Sequence, residues 1–193
     1  EGLEPVRRRP GMYVGGTDER ALHHLAAEVL DNSMDEAVAG HATRIEVTLE
    51  AGNRLTITDN GRGIPVDPHP KFPGKSALEV ILTTLHSGGK FEGKAYATSG
   101  GLHGVGVSVT NALSKRLEAT SYREGQVATL AFSGGDVVEK LKLRKTEAGD
   151  RRQGTVVRVW PDAKYFESPN LPLQELIHLL RSKAVLMPGV IVT

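Results

Sequence analysis

Three short segments of the chain carry side chains of the kind that handle a nucleoside triphosphate. Residues 28–32 place the carboxylate of Glu28 and the amide of Asn32 four positions apart, which is one side of a helix. Residues 59–63 place Asp59 before a turn with two glycines, and residues 100–106 hold four glycines whose N–H groups can approach phosphate oxygens. The interpretation that uses all three segments is an ATP site.

The segment around Glu28 offers the groups that phosphate hydrolysis needs. Mg²⁺ prefers oxygen ligands such as the amide of Asn32, and a carboxylate such as Glu28 can accept a proton from an attacking water. The alternative is an ordinary solvated helix face. The polar stripe comprises His24, Glu28, Asp31, Asn32 and Asp35. No lysine or arginine occurs between Arg20 and Arg44, however, and solvated helices usually place a base one turn from each acid.

The segment that begins at Asp59 could bind a purine base. The alternative is a plain turn, because Asn-Gly is common in turns. A carboxylate held at a rigid strand end can instead accept a hydrogen bond from a base amino group, which is the role predicted for Asp59. Gly61 and Gly63 would let the backbone pass close to a planar ring, against which Ile64 and Pro65 would lie.

The glycine-rich stretch from residue 87 to residue 104 is long for a loop and predicts a lid or a binding segment. It leads into a helical pattern, and a glycine-rich entry to a helix favours anions. Lys90 and Lys94 could contact phosphate, and His103 could donate to a phosphate oxygen or cap the loop. The alternative is a flexible surface loop.

Other nucleotide- and metal-binding patterns fail on spacing. Residues 74–76 end like a P-loop, but His69 stands where that motif requires glycine. No Gly-x-Gly-x-x-Gly follows a strand, so a dinucleotide fold is unsupported. His24 and Glu28 lack a third ligand at a spacing suited to zinc.

Apolar periodicity predicts the elements that position these groups. One helix is predicted over residues 22–39, with a C-terminal stop at Gly40. Its apolar face comprises Leu22, Ala26, Val29, Leu30, Ser33 and Ala37. Ser76 and Glu79 form a capping pattern at the start of a second helix. The remaining predicted elements are a turn after the basic run at 7–11, a hairpin over 44–58, a second helix over 76–86, a short helix over 104–113, strands near 116–122, 126–132, 137–143 and 155–160, and a helix over 172–186.

The composition indicates one globular domain. The 193 residues suffice for a sizeable core, and the net charge of +1 gives no overall nucleic-acid signature. The chain has no cysteine, which excludes disulfides and permits a reducing cytoplasm. No apolar run approaches the roughly 20 residues that span a bilayer. The chain starts at Glu1 without methionine, so we expect a fragment of a longer protein.

Taken in order, the three segments resemble the ATPase module shared by the B subunits of DNA gyrase and topoisomerase IV, in the superfamily (GHKL) of Hsp90, MutL and histidine kinases. The resemblance covers nearly the whole chain. The segments that carry it are 9–13, 28–40, 59–65, 85–91, 99–108 and 154–161. Residues 183–189 resemble the topoisomerase IV branch more than gyrase.

The resemblance implies a role for each matching position. Glu28 would be the general base, and Asn32 would bind the Mg²⁺ that bridges the phosphates. Asp59 would accept from the adenine amino group, partly through a water that Thr155 also holds. Gly63 and Ile64 would line the adenine pocket, with Arg62 at its mouth near Pro65. Lys90, Leu102, His103, Gly104, Val105 and Gly106 would hold the phosphates. Val29, Leu82 and Val157 would be apolar walls, and Arg123 would lie on the rim that aminocoumarin-type inhibitors reach.

The resemblance also implies an architecture and partners. The expected fold is α+β, a two-layer sandwich of a mixed, mostly antiparallel sheet with helices on one face. We expect residues 1–193 to be a single ATP-binding domain without the transducer and DNA-binding domains, monomeric alone. In the complete enzyme, a B-subunit homodimer would close on ATP and act on DNA with the topoisomerase A subunits. The alternatives are an Hsp90-like chaperone clamp, a nucleotide sensor without catalysis, and a protein kinase.

Overall fold

A single seven-stranded sheet carries helices on one of its faces in the computed structural model, which describes residues 2–85, 106–168 and 170–193. The helices are α1 Glu4–Arg8, α2 Pro10–Val14, α3 Glu19–Val38, α4 Ala77–Thr83, α5 Gly106–Ala112 and α6 Leu173–Val185. The strands are β1 Arg44–Glu50, β2 Arg54–Asp59, β3 Ser114–Arg123, β4 Gln126–Ser133, β5 Asp136–Lys145, β6 Gly154–Pro161 and β7 Ile191–Val192. The α+β sandwich expected from the sequence is confirmed.

The strand order is β5-β4-β3-β6-β2-β1-β7, and every pair is antiparallel except β1 with β7. Strand β6 therefore lies between β3 and β2, although β4 and β5 separate it from β3 in the chain. Thr193 is hydrogen bonded to β1 through both of its backbone groups. Its N–H donates to Ile45 O at 3.0 Å, and its carbonyl accepts from Val47 N at 2.7 Å.

Helix α3 forms where the apolar periodicity predicted a helix. It begins three residues earlier than expected because the Asp18 carboxylate accepts from the N–H groups of Arg20 and Ala21 and so caps the first turn. After Val38 the chain reverses at Gly40, whose φ of 82° lies in the left-handed region that glycine adopts without strain. The apolar side of α3 is buried against the sheet.

The core lies between the inner face of the sheet and the helices. Alternate residues of the central strands point into it, such as Leu55 and Ile57 on β2 and Leu117 on β3. On the edge strand β5 the side chains are almost all exposed. Across the described residues, no helix is both long and apolar enough to cross a membrane.

Two local predictions need correction. Residues 7–11 do not form a turn: α1 and α2 meet at Arg9, because each helix has a proline in its first turn, where no N–H is required. The second predicted helix, α4, is shorter than expected and ends at Thr83, since Thr84 adopts an extended conformation. Ser76 does cap this helix as predicted, accepting from the Glu79 N–H at 3.2 Å.

Candidate functional site

The centre of the candidate site is the Asp59 carboxylate, which is only 3% exposed at the end of β2. Ser33 on α3 donates its hydroxyl to Asp59 Oδ2 at 2.7 Å, and the Gly61 N–H donates to Oδ1 at 2.9 Å. One bond thus comes from the helix layer and the other from the turn that follows the strand. Together they fix the orientation of the carboxylate.

The environment of Asp59 raises the pKa of its carboxyl above the ordinary value of 3.8. Burial raises the pKa of the Asp59 carboxyl, and the negative charge of Glu36 adds to this, whereas the hydrogen bonds from Ser33, Gly61 and Thr155 oppose it. At neutral pH a buried carboxylate of this kind costs folding free energy. A buried carboxylate that lowers stability in this way is typical of groups that serve binding or catalysis.

The raised pKa of Asp59 predicts a dependence of stability on pH. The folded chain binds the proton more tightly than the unfolded chain, so folding stability falls as pH rises from the ordinary carboxyl value of 3.8 through the raised folded value. Asp59→Asn cannot titrate and should be more stable than the parent at neutral pH, with the difference shrinking toward acid. Urea unfolding of the parent and of Asp59→Asn across this pH range measures the difference in their free energies of unfolding. A difference that does not change with pH would contradict the prediction.

The turn after Asp59 is anchored to neighbouring strands through backbone groups of Ile64. Thr155 on β6, directly opposite Asp59 in the ladder, is buried, and its Oγ1 accepts from the Ile64 N–H at 3.2 Å. Ser121 on β3 donates its hydroxyl to Ile64 O at 2.6 Å. These hydroxyl groups hold the turn against the sheet.

Gly154 allows this arrangement. It has a φ of 120°, and a Cβ at this position would run into the carbonyl group of Asp59. Only glycine therefore fits where β6 begins beside the end of β2. The spacing of Thr155 and Asp59 depends on this close approach.

The side chain of Arg62, a residue of the turn, packs against α3. Its Nη2 donates to Glu36 Oε1 at 2.7 Å, and its backbone N–H donates to Glu36 Oε2 at 2.9 Å. Burial alone would raise the pKa of Glu36, but the hydrogen bonds and charge of Arg62 outweigh it and lower that pKa. Arg123 Nη1 donates to the Gly63 carbonyl at 3.0 Å. Arg62, predicted at the pocket mouth, and Arg123, predicted on the outer rim, thus both help to hold the turn.

Glu28 and Asn32 lie on the flank of α3 that leads to this turn. Residues 28, 32 and 36 follow each other at one-turn intervals of about 6 Å, and Glu36 already contacts the turn. Both Glu28 and Asn32 are half-buried. Burial, then the charges of Asp31 and Glu36, raise the pKa of Asp35, while Lys183 opposes this. This flank of α3 therefore carries excess negative charge.

Helix α5 packs beside the same part of α3. Thr110 donates its hydroxyl to Leu25 O at 3.1 Å, a contact within about one helical turn of Glu28 on one helix and of Gly106 on the other. Gly106 is the first described residue of α5 and has a φ of 60°. The predicted apolar walls Val29, Leu82 and Val157 are all buried in the core.

Part of the predicted phosphate site lies outside the described residues. This part comprises Lys90, Lys94, Leu102, His103, Gly104 and Val105. Their roles stay predictions. Among the described residues, no three histidine or acidic side chains are grouped so that they could hold a metal ion.

Three residues of the site do not stand out in the sequence as functional. Ser33 falls on the apolar face of α3, although a hydroxyl on such a face needs a buried partner. Glu36 follows Asn32 by four residues, as Asn32 follows Glu28, and this spacing indicates that all three side chains lie on one side of the helix. Ser121 gives no local signal, because its partner Ile64 is 57 residues away in the chain.

The chain is similar to known proteins over nearly its whole length. Residues 17–165 match a protein family described as histidine kinase-, DNA gyrase B- and HSP90-like ATPase. The chain is 61% identical over 191 residues to the B subunit of DNA topoisomerase 4 from Caulobacter vibrioides, covering 98% of this chain and 27% of that protein. The B subunits of the same enzyme from Rickettsia conorii and Salmonella typhimurium are 56% and 55% identical, over 98% and 100% of this chain. The chain spans less than a third of the length of these relatives.

Proposed function

The chain belongs to the histidine kinase-, DNA gyrase B- and HSP90-like ATPases, and on this basis we propose that it is the ATP-binding and ATP-hydrolysing domain of a bacterial type II DNA topoisomerase B subunit. The observation that carries the proposal is the buried Asp59 carboxylate, fixed at a strand end beside a turn that is pinned to the sheet. The names of its relatives favour topoisomerase IV over gyrase.

Asp59 suits adenine by its hydrogen-bonding chemistry. An ionised carboxylate only accepts hydrogen bonds, and the edge of adenine presents an amino donor where guanine presents a carbonyl oxygen. The two Asp59 oxygens are already oriented by Ser33 and Gly61, so little ordering is needed on binding. A water shared by Asp59 and Thr155 would complete the contact. Gly63 and Ile64 would lie against the ring, with Arg62 at the mouth of the pocket.

Glu28 would act as the general base. It lies on α3 two turns before the Glu36–Arg62 pair, which supports a position at the end of the site away from the purine turn. There it would orient a water for in-line attack on the γ-phosphate and accept its proton. Lys90 and residues 102–106 would hold the phosphates through side-chain and backbone donors.

The α3 flank fits a magnesium ion. Asn32 offers a neutral oxygen. Burial is the main cause that raises the pKa of Asp35, and the charges of Asp31 and Glu36, which a cation would offset, add to it. Mg²⁺ usually keeps several waters and binds substrate phosphates rather than a full cage of protein ligands, so few protein groups are needed besides Asn32. When bound, the ion would neutralise charge that develops on the phosphate oxygens.

We also propose how this domain acts in the whole enzyme. ATP binding would close a homodimer of B subunits and hydrolysis would reopen it, so that one DNA duplex passes through another with the help of the A subunits. The chain alone would be monomeric, and we propose a cytoplasmic location. Aminocoumarin-type inhibitors would reach the outer rim at Arg123.

Calorimetric titration of the purified chain tests the proposal. With Mg²⁺ present, we expect one molecule of a non-hydrolysable ATP analogue to bind per chain, and the GTP analogue to bind at least about a hundredfold more weakly. Failure to bind ATP, or equal affinity for GTP, would contradict the assignment of the pocket. Steady-state hydrolysis by the isolated chain should be slower than that of the full-length protein, in which other domains complete the site.

The activity of the complete enzyme separates the topoisomerase from a chaperone clamp with the same pocket. The full-length B subunit together with its partner should decatenate linked DNA circles in an ATP-dependent reaction. ATP hydrolysis without any change in DNA topology would support the chaperone alternative.

A further inference from the structure

We propose that Ser121 is a positioning residue for the purine-binding turn, which sets the depth at which Ile64 meets the base. The inference rests on the proposed function, because it concerns how the same pocket is held in its binding conformation. Ser121 does not itself need to touch the nucleotide.

The Ser121 hydroxyl makes a short and buried hydrogen bond to the turn. Its side chain is 1% exposed and donates to the Ile64 carbonyl at 2.6 Å. A buried carbonyl that loses its donor costs free energy, so the hydroxyl favours the conformation in which the turn lies on β3.

Ser121 acts together with its cross-strand partner. Ser121 and Thr155 are directly opposite each other in the β3–β6 ladder. Thr155 Oγ1 accepts from the Ile64 N–H, and Ser121 Oγ donates to the Ile64 carbonyl. Both polar backbone groups of one residue are thus held by two neighbouring hydroxyls, and Thr155 is also opposite Asp59 in the β2–β6 ladder. The ladders therefore fix Ile64 relative to Asp59.

The turn packs closely against β3 at Gly63. A Cβ on Gly63 would come within 2.6 Å of the Tyr122 carbonyl oxygen and 2.9 Å of Ser121 Oγ. Arg123 Nη1 donates to the Gly63 carbonyl from the same strand. Consecutive β3 residues thus adjoin the turn, and Ser121 is the one whose side chain bonds to Ile64.

The test compares Ser121→Ala with Ser114→Ala in the same chain. Ser114 is a matched control, since it also lies on β3, is 1% exposed and donates a 2.6 Å bond to a buried carbonyl, that of Thr110. We expect Ser121→Ala to weaken ATP and ADP binding by the same factor, about tenfold, because the change lies at the purine end. Ser114→Ala should bind both nucleotides within about twofold of the parent, although both variants lose thermal stability.

Kinetics of the full-length protein provide the second readout. Ser121→Ala should raise KM for ATP and leave kcat within about twofold, since the hydrolytic groups are untouched. Binding by Ser121→Ala equal to that of the parent, or an equal loss in both variants, would overturn the positioning role and leave the ATP site intact. A parent chain that binds no ATP would instead overturn the proposed function and this inference with it.

Discussion

Replacing Glu28 by alanine is expected to abolish ATP turnover and to leave ATP binding nearly unchanged. General-base catalysis contributes about 10²- to 10⁴-fold, so kcat should fall by that factor. The base acts on water rather than on the purine or on the phosphate contacts, so the Kd for an ATP analogue should stay within about threefold. Alanine is also a good helix former, and α3 should remain intact.

Hydrolysis and binding should be measured on the same preparation of the full-length protein. Glu19→Ala is the matched control, because it removes an exposed carboxylate from the first turn of the same helix. It should hydrolyse ATP at the parental rate. If Glu28→Ala hydrolysed ATP normally, the base would have to be another residue.

The second large effect is expected for Asp59→Asn, which should weaken ATP binding by about 1.5–3 kcal/mol, or roughly 10- to 150-fold. Asparagine has the same shape and can still accept from the Gly61 N–H. Its amide, however, brings donor hydrogens to the position where the adenine amino group also donates. The loss of ATP affinity therefore measures how much the negative charge and the acceptor character of the Asp59 carboxylate contribute to binding.

The same substitution should raise the stability of the nucleotide-free chain at neutral pH, because it removes a carboxyl whose pKa is raised by burial. A substitution that raises stability but weakens ligand binding is characteristic of a residue that serves binding. Titration calorimetry and urea unfolding together measure both. Asp162→Asn, which alters a carboxylate at the end of β6 away from the site, is the control. Unchanged affinity in Asp59→Asn would exclude Asp59 as the base acceptor.

Much of the architecture could be predicted from the sequence because its signals are local. The apolar stripe of α3 and the alternation in β1 and β2 are periodic over successive residues, and the observed bounds differ from the predictions by a few residues. The prediction for residues 7–11 is wrong because Pro-Gly suggests a turn, whereas proline is also favoured in the first turn of a helix.

The connections within the site could not be predicted in the same way. That Asp59 ends a strand is visible in the sequence, but its bond to Ser33 depends on how α3 packs on β2. The contact of Gly154 with Asp59 depends on a strand order in which β6 inserts between β3 and β2. Such pairings join residues that are far apart in the chain, and no local pattern specifies them.

The pairing of Thr193 with β1 connects this residue mechanically to the sheet. Tension applied at Thr193 would load the β1 ladder first and then, one strand further, β2 with Asp59 at its tip. The path is only two strands wide and consists of backbone hydrogen bonds, which stretch little before they break. Movement at Thr193 would therefore be transmitted to the position of Asp59 through the hydrogen bonds of two strands.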